Sequence, residues 1–267
     1  MFNHALELYH NNQYLAAQDL FEKLLGTARQ ESIKSDCSYY FANCAVRLNQ
    51  EGADQLMESF VTDFPTSIKR NVAYINVANY YFENGDYSFA RKWFDKVDSS
   101  HLSESSLEDF NFNNGYTYFK NKRYSQAKKY LNRLSDSKKY ASQAKYYLGF
   151  IAYEGDQYET ANALFEEVKG EKRYADDLSY YQADMNFKLG RFDQAIELGK
   201  EQYDTSSPTE KSELSKIIGE SYFNLENYKE ALPYLKKYKG RAGKWNNTDY
   251  YQLGYAHYKQ GDYKSAS

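Results

Sequence analysis

Residues 145–168, KYYLGFIAYEGDQYETANALFEEV, contain two short amphipathic patterns with a break between them. Small, apolar and aromatic residues recur at helical spacing before the break, at Leu148, Gly149, Ala152 and Tyr153, and after it, at Tyr158, Ala161, Phe165 and Val168. Gly155 and Asp156 favour a turn at the break. Because neither stripe can be buried alone, the segment predicts a hairpin of two amphipathic helices packed against each other.

The same pattern recurs along most of the chain. An aromatic residue follows each turn, and an alanine comes three residues after it. The aromatic members of these pairs are Tyr14, Tyr87, Tyr124, Tyr158, Phe192, Tyr228 and Tyr263. From Tyr87 onward their spacing averages about 35 residues, which predicts an all-α repeat protein.

The sequence resembles the tetratricopeptide repeat family, of bacterial type, whose repeat is about 34 residues long. The first helix of each repeat carries the expected small residue, at Ala5, Ala42, Ala78, Gly115, Gly149, Ala183, Gly219 and Gly254. A large apolar residue stands four positions after the second-helix alanine, at Phe21, Phe94, Leu131, Phe165 and Leu235. Gly199 departs from this pattern, so we expect the sixth second helix to pack loosely. The resemblance implies a right-handed α-solenoid of antiparallel helix pairs.

We expect the chain, residues 1–267, to form a single repeat array without an internal domain boundary. It would hold about seven complete hairpins and a truncated eighth, residues 247–267. The second repeat, residues 36–65, lacks the aromatic residue after its turn but keeps both apolar stripes. A half repeat indicates a piece of a longer protein. Because its apolar surface is uncovered, we expect this half repeat to fray, or the protein to self-associate through its C-terminal face.

Composition and charge exclude several classes of protein. A chain of 267 residues with 42% hydrophobic and 27% charged residues has the composition of a folded domain. Its net charge of −3 gives no support for a basic footprint, so we expect no nucleic acid partner. No apolar run approaches the ~20 residues that span a bilayer, which argues against direct membrane insertion.

No catalytic or metal site is visible in the sequence. The histidines are dispersed, at His4, His10, His101 and His257, and no segment has zinc-ligand spacing or resembles a phosphate loop. The acidic pairs Glu166-Glu167 and Asp176-Asp177 are expected to be solvated helix surface. Cys37 and Cys44 are seven residues apart on one predicted helix, too far for a disulfide, and are expected to be buried. The chain is therefore predicted not to be an enzyme and to need no cofactor or metal.

Aromatic residues recur at one slot of the first helices. This column consists of Tyr9, Val46, Phe82, Phe119, Tyr153, Phe187, Phe223 and Tyr258. The family resemblance implies that the column, with the positions three and seven residues before it, lines a concave groove. The predicted ligand-contacting residues are Phe112, Tyr116, Phe119, Tyr146, Phe150, Tyr153, Tyr180, Asp184, Phe187, Phe223, Tyr251 and Tyr255. We expect roughly half of the rings to bind a ligand and the rest to pack against the next repeat, with Tyr116, Tyr146, Phe150 and Tyr255 the strongest candidates for contact.

The resemblance implies a protein-interaction scaffold that binds an extended peptide or a partner helix on the concave face, in envelope assembly. A glycan-binding module is the alternative, because rings with interspersed carboxylates also suit sugars. Some family members grip a C-terminal carboxylate with a clamp of Lys, Asn and Arg, but Tyr39, Asp109 and Asn113 stand at three of its positions. A chaperone-tail adaptor is therefore not expected. Resemblance to envelope-assembly members favours a periplasmic or outer-membrane site over the cytoplasm.

Overall fold

The computed structural model describes residues 1–266, apart from the side chains of residues 172 and 175–177. Ser267 and the side chains of the acidic pair Asp176-Asp177 therefore lie outside the described residues. The part described contains sixteen α-helices, no β-strand, and two 3-10 turns at Ser99–His101 and Asn132–Leu134. The helices are α1 Phe2–His10, α2 Tyr14–Thr27, α3 Glu31–Arg47, α4 Ala53–Asp63, α5 Arg70–Glu83, α6 Tyr87–Phe94, α7 Glu104–Lys120, α8 Tyr124–Leu131, α9 Ala141–Glu154, α10 Tyr158–Glu166, α11 Lys172–Lys188, α12 Phe192–Tyr203, α13 Pro208–Asn224, α14 Tyr228–Leu235, α15 Asn247–Lys259 and α16 Tyr263–Ala266.

The helices belong to two compact units, Met1–Tyr140 (unit 1) and Ala141–Ser267 (unit 2). Unit 1 contains α1 to α8 and unit 2 contains α9 to α16, and within each unit every helix packs against the next along the chain. The first helices of successive hairpins also contact each other: α3 contacts α5, and α11 contacts α13. The all-α fold of paired helices is thus confirmed. A single array continuous across both units stays a prediction.

Each hairpin turns on a residue in the left-handed region of backbone conformation. In seven of the eight hairpins this residue lies two positions before the second helix; it is glycine at 85, 190 and 261, with φ between 72° and 77°. The others are Asn12, Lys122, Asp156 and Glu226, with φ between 55° and 60°. Glycine and asparagine adopt this conformation at little cost, whereas lysine and glutamate do so against their preference. All seven of these turns are formed, including the two at Lys122 and Glu226.

The small residue of the first helix lets the two helices of a hairpin approach closely. A Cβ atom added at Gly149 would lie 2.3 Å from Cε1 of Phe165, and one at Gly115 or Gly219 would lie 2.9 Å from Leu131 or Leu235. These distances are shorter than van der Waals contact, so a methyl group at any of these positions would force neighbouring atoms to shift. At these three positions the small residue predicted for the first helix allows the close approach.

The sixth second helix, α12, does not pack loosely. Gly199 is buried, and a Cβ atom there would lie 2.8 Å from Cγ1 of Ile218 on α13. The Ile218 side chain is fully buried in the space that a larger residue at position 199 would take. The expectation of loose packing was wrong because a residue of the following helix supplies the missing volume.

The two cysteines lie in the core of unit 1 as free thiols. Burial raises the pKa of Cys37 to about 11 and that of Cys44 to about 12. Among residues 1–266, no helix is both long and apolar enough to cross a bilayer. No group of three or more His, Cys, Asp or Glu side chains in the described part could hold a metal ion.

Replacing Gly149 with alanine should lower the free energy of unfolding by about 1–3 kcal/mol, because the added methyl collides with a fully buried ring. Gly26→Ala is the matched control. Gly26 also lies in a helix, but a Cβ atom there meets nothing within 4 Å. The control should be neutral or slightly stabilising. Urea unfolding followed by circular dichroism measures both, and equal effects would contradict the close-approach argument.

Candidate functional site

Aromatic rings form recurring clusters between successive first helices. In unit 1, the centroid of Tyr116 lies 5.7 Å from that of Phe82 and 5.4 Å from that of Tyr87. The Lys120 ammonium lies 5.7 Å from the centroid of Tyr87 and 5.8 Å from that of Tyr116. Such contacts between a cation and a ring face are attractive. The predicted residue Tyr116 is therefore part of a packed cluster. Its side chain is half-buried, so part of the ring remains exposed to solvent.

The other two predicted residues of unit 1 lie in the same layer. Phe112 stacks on Tyr140 with a centroid distance of 4.4 Å, and the Tyr140 hydroxyl donates to Asp109 over 2.8 Å. Phe119 lies 6.2 Å from Tyr116. The three residues are thus brought together along α7, each half-buried.

The positions of the carboxylate clamp are occupied by side chains that bind one another. Asn76 donates to the Tyr39 hydroxyl over 2.7 Å, and Asn113 donates to Asn79 over 3.0 Å. Lys139 pairs with Asp109 at 2.7 Å. The two asparagine contacts join successive first helices of unit 1, α3 to α5 and α5 to α7, and Lys139 reaches α7 from the segment before α9.

In unit 2, Tyr146 and Phe150 contribute to core packing. Tyr146 stacks on Tyr174 with a centroid distance of 4.3 Å. Phe150 lies 5.2 Å from Phe165 and 4.7 Å from Tyr181, both edge to face. These two rings therefore have structural partners on one side. Their remaining surface, with Tyr180, lines a recess of about 410 Å³.

A second recess in unit 2 brings together four of the predicted residues, Tyr153, Tyr180, Asp184 and Phe187. Its volume is about 570 Å³. The rest of its lining consists of Lys188, Glu213, Lys216, Ile217, Glu220, Tyr238 and Arg241. Both recesses include Tyr180 and Glu213 in their walls. We call the two together the unit 2 groove.

One charged group of the groove joins α9 to α11. The Tyr153 hydroxyl donates to Oδ2 of Asp184 over 2.5 Å, and Nζ of Lys188 lies 2.9 Å from the same oxygen. Burial, and then the Asp184 carboxylate, raises the pKa of Tyr153 above its ordinary value. Burial alone would lower the pKa of Lys188, but Asp184 and Tyr153 raise it. Tyr153 and Lys188 therefore keep their protons at neutral pH.

A second charged group joins α13 to α15. Nζ of Lys216 lies 3.0 Å from Asp249 and 3.7 Å from Glu220, and 4.8 Å from the centroid of the Tyr238 ring. Burial raises the pKa of Glu220, and the Lys216 charge counteracts part of this rise. Lys188 and Lys216 of the groove are thus each paired with a carboxylate.

The remaining predicted residues form a separate cluster in unit 2. Phe223 lies 5.8 Å from Tyr255, and Tyr251 stacks on Tyr255 at 5.7 Å. Tyr251 is 62% exposed, the most open ring of the predicted set. None of these three lines either recess of the groove. Ligand contact by any of the twelve stays a prediction.

Sequence reasoning missed several groove residues. Lys188 could have been found, because it stands four residues after Asp184 on one helix, a spacing typical of ion pairs. Arg241 and Tyr238 follow α14 in a loop with no periodic pattern, and only the fold brings them to the groove.

Comparison with family models agrees with this architecture. Residues 112–177 match the model described as tetratricopeptide repeat, and residues 154–238 match the model described as anaphase-promoting complex, cyclosome, subunit 3. Residues 112–238 thus match models of tetratricopeptide type, and repeats of this type span much of the chain. Tetratricopeptide repeats are typically non-catalytic scaffolds that present extended surfaces to protein partners. No curated protein matches the sequence.

Solved structures show the same fold. The C-terminal part of a tetratricopeptide repeat protein from Cytophaga hutchinsonii is 17% identical, with a TM-score of 0.57 over 95% of this chain and 99% of that chain. MamA from AMB-1 is 22% identical, with a TM-score of 0.56 over 68% of this chain and 97% of that chain. A tetratricopeptide repeat protein from Parabacteroides merdae is 13% identical, with a TM-score of 0.50 over 95% of this chain and 96% of that chain. At these identities the similarity concerns the fold alone.

Replacing Tyr180 with phenylalanine should reduce the loss of folding stability that occurs as the pH rises in the alkaline range. Burial, with the nearby carboxylates of Asp184 and Glu213, raises the pKa of Tyr180 from 10.0 to about 12. The folded state therefore holds the phenol proton more tightly than the unfolded chain. This stabilisation is complete below about pH 10 and is lost as the pH rises through about 12.

The measurement is the urea midpoint at about pH 9 and about pH 11.5. From the lower to the higher pH, the urea midpoint of the wild type should fall further than that of the Tyr180→Phe protein. Tyr250→Phe, at a ring that is 63% exposed, serves as the control and should fall as far as the wild type. The same fall in all three proteins would count against the burial of Tyr180.

Proposed function

We propose that the protein is an interaction scaffold whose unit 2 groove binds an extended segment of a partner protein. The observation that carries this proposal is the convergence of Tyr153, Tyr180 and Phe187 on one recess of about 570 Å³ that also holds charges of both signs. Tyrosine offers a large contact area at low entropic cost, and recesses of this size accept a few side chains of a ligand.

The pairing of charges inside the groove favours a segment with little net charge. Asp184 is paired with Lys188, and Lys216 with Asp249, so neither cation needs a ligand to balance it. Ring edges and polar groups remain for side-chain contacts and for hydrogen bonds to a peptide backbone. A partner segment with apolar and uncharged polar side chains fits this lining best.

A glycan would need open ring faces on which sugars stack. Tyr146 of the groove already stacks on Tyr174, so one face of its ring is covered by protein. This observation supports a peptide over a glycan in the groove. A role in envelope assembly, and a periplasmic or outer-membrane location, extend the proposal and rest on family resemblance.

The test is selection of peptides from a random display library on the wild-type protein, followed by fluorescence anisotropy with the selected peptides. Replacing both Tyr180 and Phe187 with alanine should raise the Kd about tenfold to a hundredfold, because rings at the centre of an interface carry most of the binding energy. Circular dichroism should show unchanged helicity.

The matched control replaces Tyr147 and Tyr228 with alanine. Both are half-buried rings of unit 2, and neither lines the groove. Selected peptides should bind this control as they bind the wild type. Equal weakening in both double variants would contradict the groove assignment. Glycan binding that is lost only in the groove variant would replace the peptide by a sugar.

A further inference from the structure

Residues 236–244, KKYKGRAGK, carry five cations in nine positions, and no acidic residue occurs between Glu230 and Asp249. The net charge of −3 conceals this cluster. The expectation of no basic footprint is therefore wrong for this segment.

The fold places this segment beside a further lysine, where the ends of three helices meet. Helix α12 ends at Tyr203, α13 begins at Pro208, and α14 ends at Leu235. A recess of about 420 Å³ between these ends is lined by Tyr203, Lys211, Lys236, Lys237 and Lys239, among others. The backbone N–H of Lys239 donates to Oγ of Ser212 over 2.9 Å, which fixes the segment against α13.

Aromatic rings hold several of these ammonium groups in place. Nζ of Lys237 lies 5.2 Å from the centroid of Tyr203 and 5.4 Å from that of Tyr234. Lys200 lies 5.0 Å from the centroid of Tyr222 and donates to its hydroxyl over 2.6 Å. We call this surface, with Lys200, Lys211, Lys236, Lys237 and Lys239, the basic face.

Carboxylates do not neutralise the basic face. Among the side chains that the structure describes, none pairs its charge with any of these five lysines, in contrast to Lys188 and Lys216 of the groove. The hydrogen bond to Tyr222 raises the pKa of Lys200, and the charge of Glu230 contributes to this rise, but Lys200 and Glu230 do not form an ion pair. The Glu210 carboxylate, at the start of α13, accepts from the backbone N–H of Ser207 over 2.8 Å and so caps the helix.

We propose that the basic face binds an acidic segment of a partner protein. Charge complementarity carries the proposal, because four lysines without an ion pair line one recess and attract a run of carboxylates. Lys200 adds a fifth charge over the ring of Tyr234, which Lys237 also contacts. Nucleic acid fits less well. Lysines already cover the rings of Tyr203, Tyr222 and Tyr234, which leaves little ring surface for base stacking. A long polyanion would also extend from the recess onto a molecule of net negative charge.

The probe is a fluorescent peptide of eight glutamates, and the measurement is its Kd by anisotropy at several salt concentrations. Binding should weaken steeply as salt rises, since exposed charges are screened. Replacing Lys236, Lys237 and Lys239 with glutamine should raise the Kd about tenfold, because each exposed ion pair contributes a factor of about two to five.

The matched control replaces Lys23, Lys129 and Lys138 with glutamine. These three lysines are exposed, lie in unit 1, and form no ion pair in the described part of the chain. The control removes the same charge and should leave the Kd within about twofold of the wild type. Similar losses in the two variants, or no binding of the peptide by the wild type, would overturn the proposal. So would a single-stranded oligonucleotide of equal charge that binds the basic face more tightly than the peptide.

Discussion

The close approach of the two helices in each hairpin is the constraint on which the other contacts depend. Gly149 faces the fully buried ring of Phe165 at a distance that leaves no room for a methyl group, and Gly219 faces Leu235 in the same way. A large residue on one helix fills the space that a small residue on the other leaves. The hairpin becomes a rigid unit, and the next first helix can pack against it in a fixed register.

That register explains why the aromatic layer repeats. Lys120, Lys188 and Lys259 occupy equivalent positions on α7, α11 and α15, and each lies over a pair of rings. For Lys188 both rings, Tyr153 and Tyr158, belong to the preceding hairpin. Lys120 and Lys259 each lie over one ring of the preceding hairpin and one ring of their own helix. Each such contact is modest, about 0.5–1 kcal/mol at an exposed site, but it recurs between neighbouring repeats. The same rings that line a groove thus also join repeats to one another.

Features encoded within one hairpin could be predicted from the sequence. The turn at Gly155-Asp156 and the small residue at Gly149 follow from local periodicity, and the capping box of Ser207 and Glu210 follows from spacing. Features that need a residue from another hairpin could not. Ile218 compensates for Gly199 from the following helix, and Lys216 reaches Asp249, 33 positions away. Overall net charge likewise hides where the cations cluster.

The unit 2 groove and the basic face use charge in opposite ways. In the groove, Lys188 and Lys216 are partly buried, and a buried cation is stable only when a carboxylate lies beside it. At the basic face, Lys236 and Lys239 are exposed, so water can solvate them without a partner. Burial thus requires Lys188 and Lys216 to be paired with carboxylates, whereas exposure leaves the basic face free to carry net charge. The first surface is suited to selecting shape, and the second to attracting opposite charge at a distance.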